Sequence, residues 1–311
     1  MVVEPARAHR HEHGPGAHRD ADERLLVSVL MLLVAFLVGE FAVALVVGSV
    51  ALLADAGHLL VDAGSVAGAL GASRLARRPA GGRWTFGLHR VEVLAAAING
   101  LALVVAGALL TFEAVRRLWK PVDVDGVPVL VVAGVGLLVN LAATALLARA
   151  DRTGLNMQGA FAHILTDLYA FLGTVVAGVV LVTTGFDRAD SIASLLVVLL
   201  MFAAAVPLLR ASASVLLEGV PEQVDLDEVR THLLATPHVR EVHDLHCWTV
   251  TSGLLALSAH VVVEAECFQD GHAPQMLDAL QHCLLGHFDI DHSTFQLEPV
   301  GHAEHESGAH A

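Results

Sequence analysis

The sequence predicts an all-α six-helix transmembrane domain followed by a small α+β domain with the element order αββαβ. Three observations carry this reading. Of 311 residues, 55% are apolar and 16% charged, whereas a soluble domain is nearer about 25% charged. Stretches 93–112, 126–148 and 191–209 contain no charged residue at all, and about 20 apolar residues suffice to cross roughly 30 Å of hydrocarbon. Beyond Arg210 the pattern changes: the net charge of −14 falls in the last third of the chain, whose only bases are Arg230 and Arg240.

The elements follow in order. Residues 1–24 form a His-rich polar tail, expected to be disordered through about residue 20. The six spans cover about 25–47, 50–74, 91–118, 127–148, 156–184 and 190–209. The first lacks a small-residue cleavage site and is not read as a signal peptide. Placing both termini in the cytosol puts Arg7, Arg10, Arg19, Arg24, Arg74, Arg77, Arg78, Arg83, Arg90, Arg149, Arg152 and Arg210 inside. Only Arg116, Arg117, Lys120 and Arg188 then lie outside, which is the orientation that basic loops favour. Residues 211–300 make the cytoplasmic domain. There, 225–235 reads as an amphipathic helix presenting Leu226, Val229, Leu233 and Leu234. Segments 241–250 and 254–263 read as a hairpin turning at Thr251, Ser252 and Gly253, with a helix over 274–287 and a strand over 293–298. Residues 301–311 form a second His-rich tail.

Composition also excludes function classes. An acidic domain cannot serve as a phosphate-binding surface, so nucleic acid is not a partner; a cation is. Cys247, Cys267 and Cys283 show no CxxC spacing and read as reduced thiols in a cytosolic domain. Neither HExxH nor GxSxG occurs, which argues against an enzyme of the zinc-protease or serine-hydrolase kind. No feature calls for an organic cofactor.

Ionisable groups within spans cost roughly 2.5–3.5 kcal/mol each on insertion scales, and mark function. The second span carries Asp55, His58 and Asp62, and the fifth carries His163 and Asp167. Each HxxxD pair lies on one helix face, one turn apart. If the two spans pack side by side, two nitrogen and two carboxylate ligands converge, a donor set that suits tetrahedral Zn²⁺. Each pair taken alone also reads as an intrahelical hydrogen bond or a proton relay without metal. Asp55, on the same side of its helix, is a candidate entry ligand or proton carrier and reads equally as a satisfied buried acid. Glu40 and Asn99 read equally as hydrogen-bonding groups between packed helices.

These residues carry a family resemblance. Ser49-Val-Ala-Leu-Leu-Ala-Asp55-Ala-Gly-His58-Leu-Leu-Val-Asp62 resembles the second-helix signature of the cation diffusion facilitator family of zinc transporters. Phe86-Gly87-Leu88-His89-Arg90-Val91-Glu92 is similar to the opening of its third helix, and Asn156-Met-Gln-Gly-Ala-Phe-Ala-His163-Ile-Leu-Thr-Asp167 to its fifth-helix signature. His243-Asp244-Leu245-His246-Cys247-Trp248 and Thr294-Phe295-Gln296-Leu297-Glu298 resemble its cytoplasmic domain. The resemblance spans about residues 25–300.

The resemblance implies a V-shaped homodimer of six-helix protomers, each with a metallochaperone-like cytoplasmic domain. It implies export of divalent metal in exchange for protons by alternating access; the short loops, absent targeting signal and Ala/Val/Leu-rich spans suit a bacterial plasma membrane. The transport site maps onto His58, Asp62, His163 and Asp167, a set that favours Zn²⁺ with Cd²⁺ or Co²⁺ as secondary substrates; the alternatives are transport chiefly of Mn²⁺, Fe²⁺ or Co²⁺, or a membrane-anchored zinc sensor without transport. A cytoplasmic zinc site maps onto His243, His260 and Glu298, with Asp291, His292 or His272 as candidates to complete it. Gln296 stands where some bacterial members carry a further His, which weakens the case for a two-metal cluster. The loop 77–83 lacks the Asp/His ligands of some relatives, and His89 is the candidate for a weak accessory site. His232, His238, His282 and His287 read as solvated surface histidines. His9, His11, His13 and His18, with His302, His305 and His310, read either as loose metal collectors or as solvated tails.

Overall fold

The computed structural model describes residues 15–302 apart from 48–49, 120–125, 187, 252, 270 and 291. The side chains of Asp55, His58 and some neighbouring helix residues also lie outside the description. Six long helices come first: α1 (Pro15–Val47), α2 (Val50–Ala76), α3 (Arg90–Trp119), α4 (Gly126–Leu147), α5 (Leu155–Thr184) and α6 (Ala189–Leu216). Among the described residues, five are long and apolar enough to cross a membrane, and α4 adds the shorter apolar stretch Ala133–Leu147. Helix α1 begins at Pro15 rather than near residue 25, so 15–20 is helical where disorder was expected. Proline is preorganised for the first helical turn, and the fixed φ there costs no hydrogen bond. Residues 1–14 and 303–311, with most of the tail histidines, lie outside the described residues.

The chain divides into two compact units. The first comprises Met1–Ser73, Leu103–Arg152 and Ala160–Phe202. Within it α1 packs on α4, and the backbone N–H of Asp151 donates to the Asp22 carboxylate at 3.0 Å. Glycines of α4 and α5 receive side chains of the other helix: a Cβ at Gly178 would stand 2.9 Å from Leu130, and one at Gly136 would stand 2.3 Å from Phe171. Where the surroundings are as apolar as the side chains, packing of side chains onto small residues is what holds helices together.

The second unit comprises Arg74–Ala102, Thr153–Gly159 and Ala203–Ala311. Its C-terminal part holds α7 (Leu226–Leu234), β1 (Val239–Thr251), β2 (Leu254–Val263), the short α8 (Glu266–Gln269), α9 (Ala273–Phe288) and β3 (His292–Pro299). This is the expected αββαβ order with one added turn of helix. Asp225 caps α7, its carboxylate accepting from the backbone N–H groups of Asp227 at 2.9 Å and Glu228 at 3.4 Å. Strands β1 and β2 pair antiparallel, and β2 and β3 pair parallel. One sheet face, with Leu257, Ala259, Val261 and Val263 of β2, shares a core with Val229 and Leu233 of α7 and Met276, Leu280 and Leu284 of α9. The period of two along a strand sends the intervening residues to the opposite face.

Candidate metal centres

In the first unit, α2 supplies Asp62 and α5 supplies His163 and Asp167. His163 Nε2 lies 3.2 Å from Asp62 Oδ1 and 3.8 Å from Asp167 Oδ2. All three ligand atoms fall within 4.8 Å of one another. Ligands about 2.0–2.1 Å from a tetrahedral Zn²⁺ stand roughly 3.3 Å apart, so the spacing fits a shared cation. His163 is 6% exposed, and its Nδ1 and Asp167 Oδ2 are buried with no hydrogen-bond partner among the described residues. Two carboxylates around one imidazole nitrogen exceed what a single N–H can satisfy, which leaves acceptor capacity that a cation could take up. His58 stands on α2 one turn before Asp62; its side chain and that of Asp55 lie outside the described residues.

In the second unit, the strand pairing builds a different group. His243 of β1 is the cross-strand partner of His260 of β2. This opposition depends on an irregularity at Asp244, whose φ of 46° shifts the register before His246 pairs with Ser258. His260 is level with Gln296 of β3, and Glu298 is two residues further along the same face. Glu298 Oε1 lies 2.7 Å from His260 Nδ1, and Oε2 lies 3.5 Å from His243 Nε2. Gln296 donates its amide to Glu298 Oε1 at 2.9 Å, orienting the carboxylate. Glu298 is only 1% exposed, so a buried carboxylate faces two imidazoles; the donor set suits Zn²⁺.

Among the described residues, these two groups are where three or more such ligands converge, and His89 is in neither. Of the residues expected to complete the strand group, His272 stacks on His238 with ring centroids 6.4 Å apart, and His292 packs edge-on against Phe86 at 5.5 Å. Neither joins the group, and Asp291 lies outside the described residues. His246 is exposed and Cys247 buried, as neighbours on a strand must be when one face carries a core. The structure also pairs His232 with His287, which sequence separation had hidden.

The cation efflux transmembrane domain model matches residues 25–217, and the model for the cation efflux protein cytoplasmic domain matches 221–300. The chain belongs to the cation efflux, or cation diffusion facilitator, family. Curated relatives cover nearly its whole length. The metal cation efflux system protein CzcD of Cupriavidus metallidurans is 38% identical over 290 residues, 93% of this chain and 89% of the relative. A cadmium, cobalt and zinc/H(+)-K(+) antiporter of Bacillus subtilis is 34% identical over 294 residues, covering 94% and 93%. The zinc transporter ZitB of Escherichia coli is 37% identical over 295 residues, covering 94% and 92%. This cation efflux protein is therefore an integral membrane transporter of divalent metal, not an enzyme.

Proposed function

We propose that this cation efflux protein exports Zn²⁺ from the cytosol in exchange for protons, by alternating access at a site of His58, Asp62, His163 and Asp167. The observation that carries the reading is His163 Nε2 set between Asp62 and Asp167, carboxylates on two different apolar helices. Imidazole nitrogen favours zinc over manganese or magnesium, whereas an all-oxygen site would not. Binding requires ionised carboxylates and neutral imidazole, so protons and metal compete for the same atoms. The inward-facing site takes Zn²⁺ from the cytosol; after the site opens outward, protons arriving at Asp62, Asp167 and the histidines release it. The relatives' names support both halves, one being a zinc transporter and another an antiporter using protons.

The basic residues of the loops support cytoplasmic termini, and the short loops and Ala/Val/Leu-rich spans suit a bacterial plasma membrane. His243, His260 and Glu298 form a cytoplasmic zinc site, and the chain works as a homodimer. The acidic cytoplasmic domain raises the local cation concentration.

The test is zinc uptake into proteoliposomes under an imposed pH gradient, with a lumenal pH dye and Mn²⁺ run alongside. Zinc flux with opposing proton flux, lost in Asp62→Ala and Asp167→Ala, is the expected result. Undiminished flux in both variants overturns the site. Zinc binding without flux in the wild type overturns transport in favour of a sensor.

A further inference from the structure

We infer that His232 and His287 form a second cation-binding site in the cytoplasmic domain, on the helix side of the sheet, away from His243, His260 and Glu298. The core brings them together. Val229 and Leu233 of α7 and Leu280 and Leu284 of α9 share one buried cluster, which lays the last turns of both helices side by side. His232 and His287 occupy those last turns, with ring centroids 4.9 Å apart and planes inclined by 46°. Two imidazoles bound through one nitrogen each to a tetrahedral ion, at about 2.0–2.1 Å per bond, hold their centroids roughly 5 Å apart. The strand pair His243 and His260 stands at 5.2 Å.

The rings are also set in the tautomer that a metal needs. His232 Nδ1 lies 3.0 Å from the carbonyl of Glu228, and His287 Nδ1 lies 3.0 Å from the carbonyl of Cys283. A carbonyl oxygen only accepts, so each Nδ1 donates and each Nε2 keeps its lone pair for a ligand. A ring N–H held by a backbone carbonyl is the usual support of a metal-binding histidine. The ring of Phe288 meets His232 edge-on at 5.1 Å and limits its rotation. Both helices end here, and their carbonyl ends favour a positive charge. His232 is half-buried and His287 exposed, so water completes the coordination shell. Two nitrogen donors select a borderline transition ion such as Zn²⁺ over Mg²⁺ or Ca²⁺. With two protein ligands, the site is weaker and faster to exchange than the strand site.

His282 provides an internal control. It lies on the same helix, exposed, with its Nδ1 3.2 Å from the carbonyl of Asp278, but no second imidazole faces it among the described residues.

The experiment uses the full chain in detergent. Diethyl pyrocarbonate modification of His232, His287 and His282 is followed by mass spectrometry during titration with Zn²⁺, and separately with Mg²⁺. Zinc is expected to slow modification of His232 and His287 over one concentration range, leaving His282 unchanged; Mg²⁺ protects none. His287→Gln, on an exposed position, removes the protection of His232, and His232→Gln removes that of His287. Glu298→Gln, which weakens the strand site, leaves the protection in place. Equal protection of His282, persistence of protection at one histidine after loss of the other, or its loss in Glu298→Gln overturns the site. So does absence of protection at both.

Discussion

His163 Nε2 lies 3.2 Å from Asp62 Oδ1, although 101 residues separate them along the chain. No local interaction enforces that distance; it exists because α2 and α5 are neighbours. Replacing either carboxylate by its amide keeps the shape but removes the negative charge that a divalent cation requires. Even outer partners of a metal ligand contribute about 10–100-fold to metal affinity, so Asp62→Asn and Asp167→Asn should each weaken zinc binding at least that far. Equilibrium zinc binding in detergent, with membrane insertion verified, checks this.

Gly136 of α4 lies against the Phe171 side chain of α5. An added Cβ would lie 2.3 Å from Phe171, which follows Asp167 by one turn on α5. Gly136→Ala should therefore cost about 1–3 kcal/mol through overpacking and slow zinc flux by displacing Asp167. Gly134→Ala, with nothing within 4 Å of its Cβ position, should do neither. Thermal unfolding and flux of the two variants decide the matter.

Zinc should stabilise the cytoplasmic domain through Glu298 and its two histidines. Binding to the folded form alone adds about 2.7 kcal/mol when free zinc is 100 times its dissociation constant. In Glu298→Ala most of that zinc-dependent rise in the unfolding midpoint should disappear. The comparison is made between zinc and a chelator for each protein.

Glu264 ties the start of β1 to the end of β2. The hydrogen bond from His238 at 2.8 Å, with the Arg240 guanidinium at 2.5 Å, holds its carboxyl below the usual value, against the opposing effect of burial. A carboxyl whose pKa is lowered by folding stabilises the fold above its unfolded value of about 4.3. That contribution is lost as pH falls through the lower folded value. Glu264→Gln should thus lower the unfolding midpoint at neutral pH and match the wild type at strongly acidic pH. A constant difference across that range would contradict the assignment.

Cys247 is 2% exposed beneath the sheet, and burial pushes its thiol up to about 11. The thiolate is the nucleophile, so iodoacetamide at neutral pH should leave Cys247 unmodified in the folded protein. It should react after denaturation, as mass spectrometry of the alkylated peptide will show.

The sequence by itself determined the membrane helices, because their apolar length and isolated ionisable residues are local properties. It also placed Asp62, His163 and Asp167 at helical spacing, and His260 and Glu298 within strands, since periods of 3.6 and 2 are written in the residue order. The beginning of α1 was not legible, because polar, His-rich 15–20 carries no apolar period to distinguish helix from tail. Only the tertiary structure decided which elements meet. The opposition of His243 to His260 rests on a register shift at Asp244, where a non-glycine residue takes a positive φ. The pairing of His232 with His287 rests on a core that Leu233 and Leu284 share. Both contacts join residues remote in sequence, and packing and strand register, rather than any local spacing, set the distances between them.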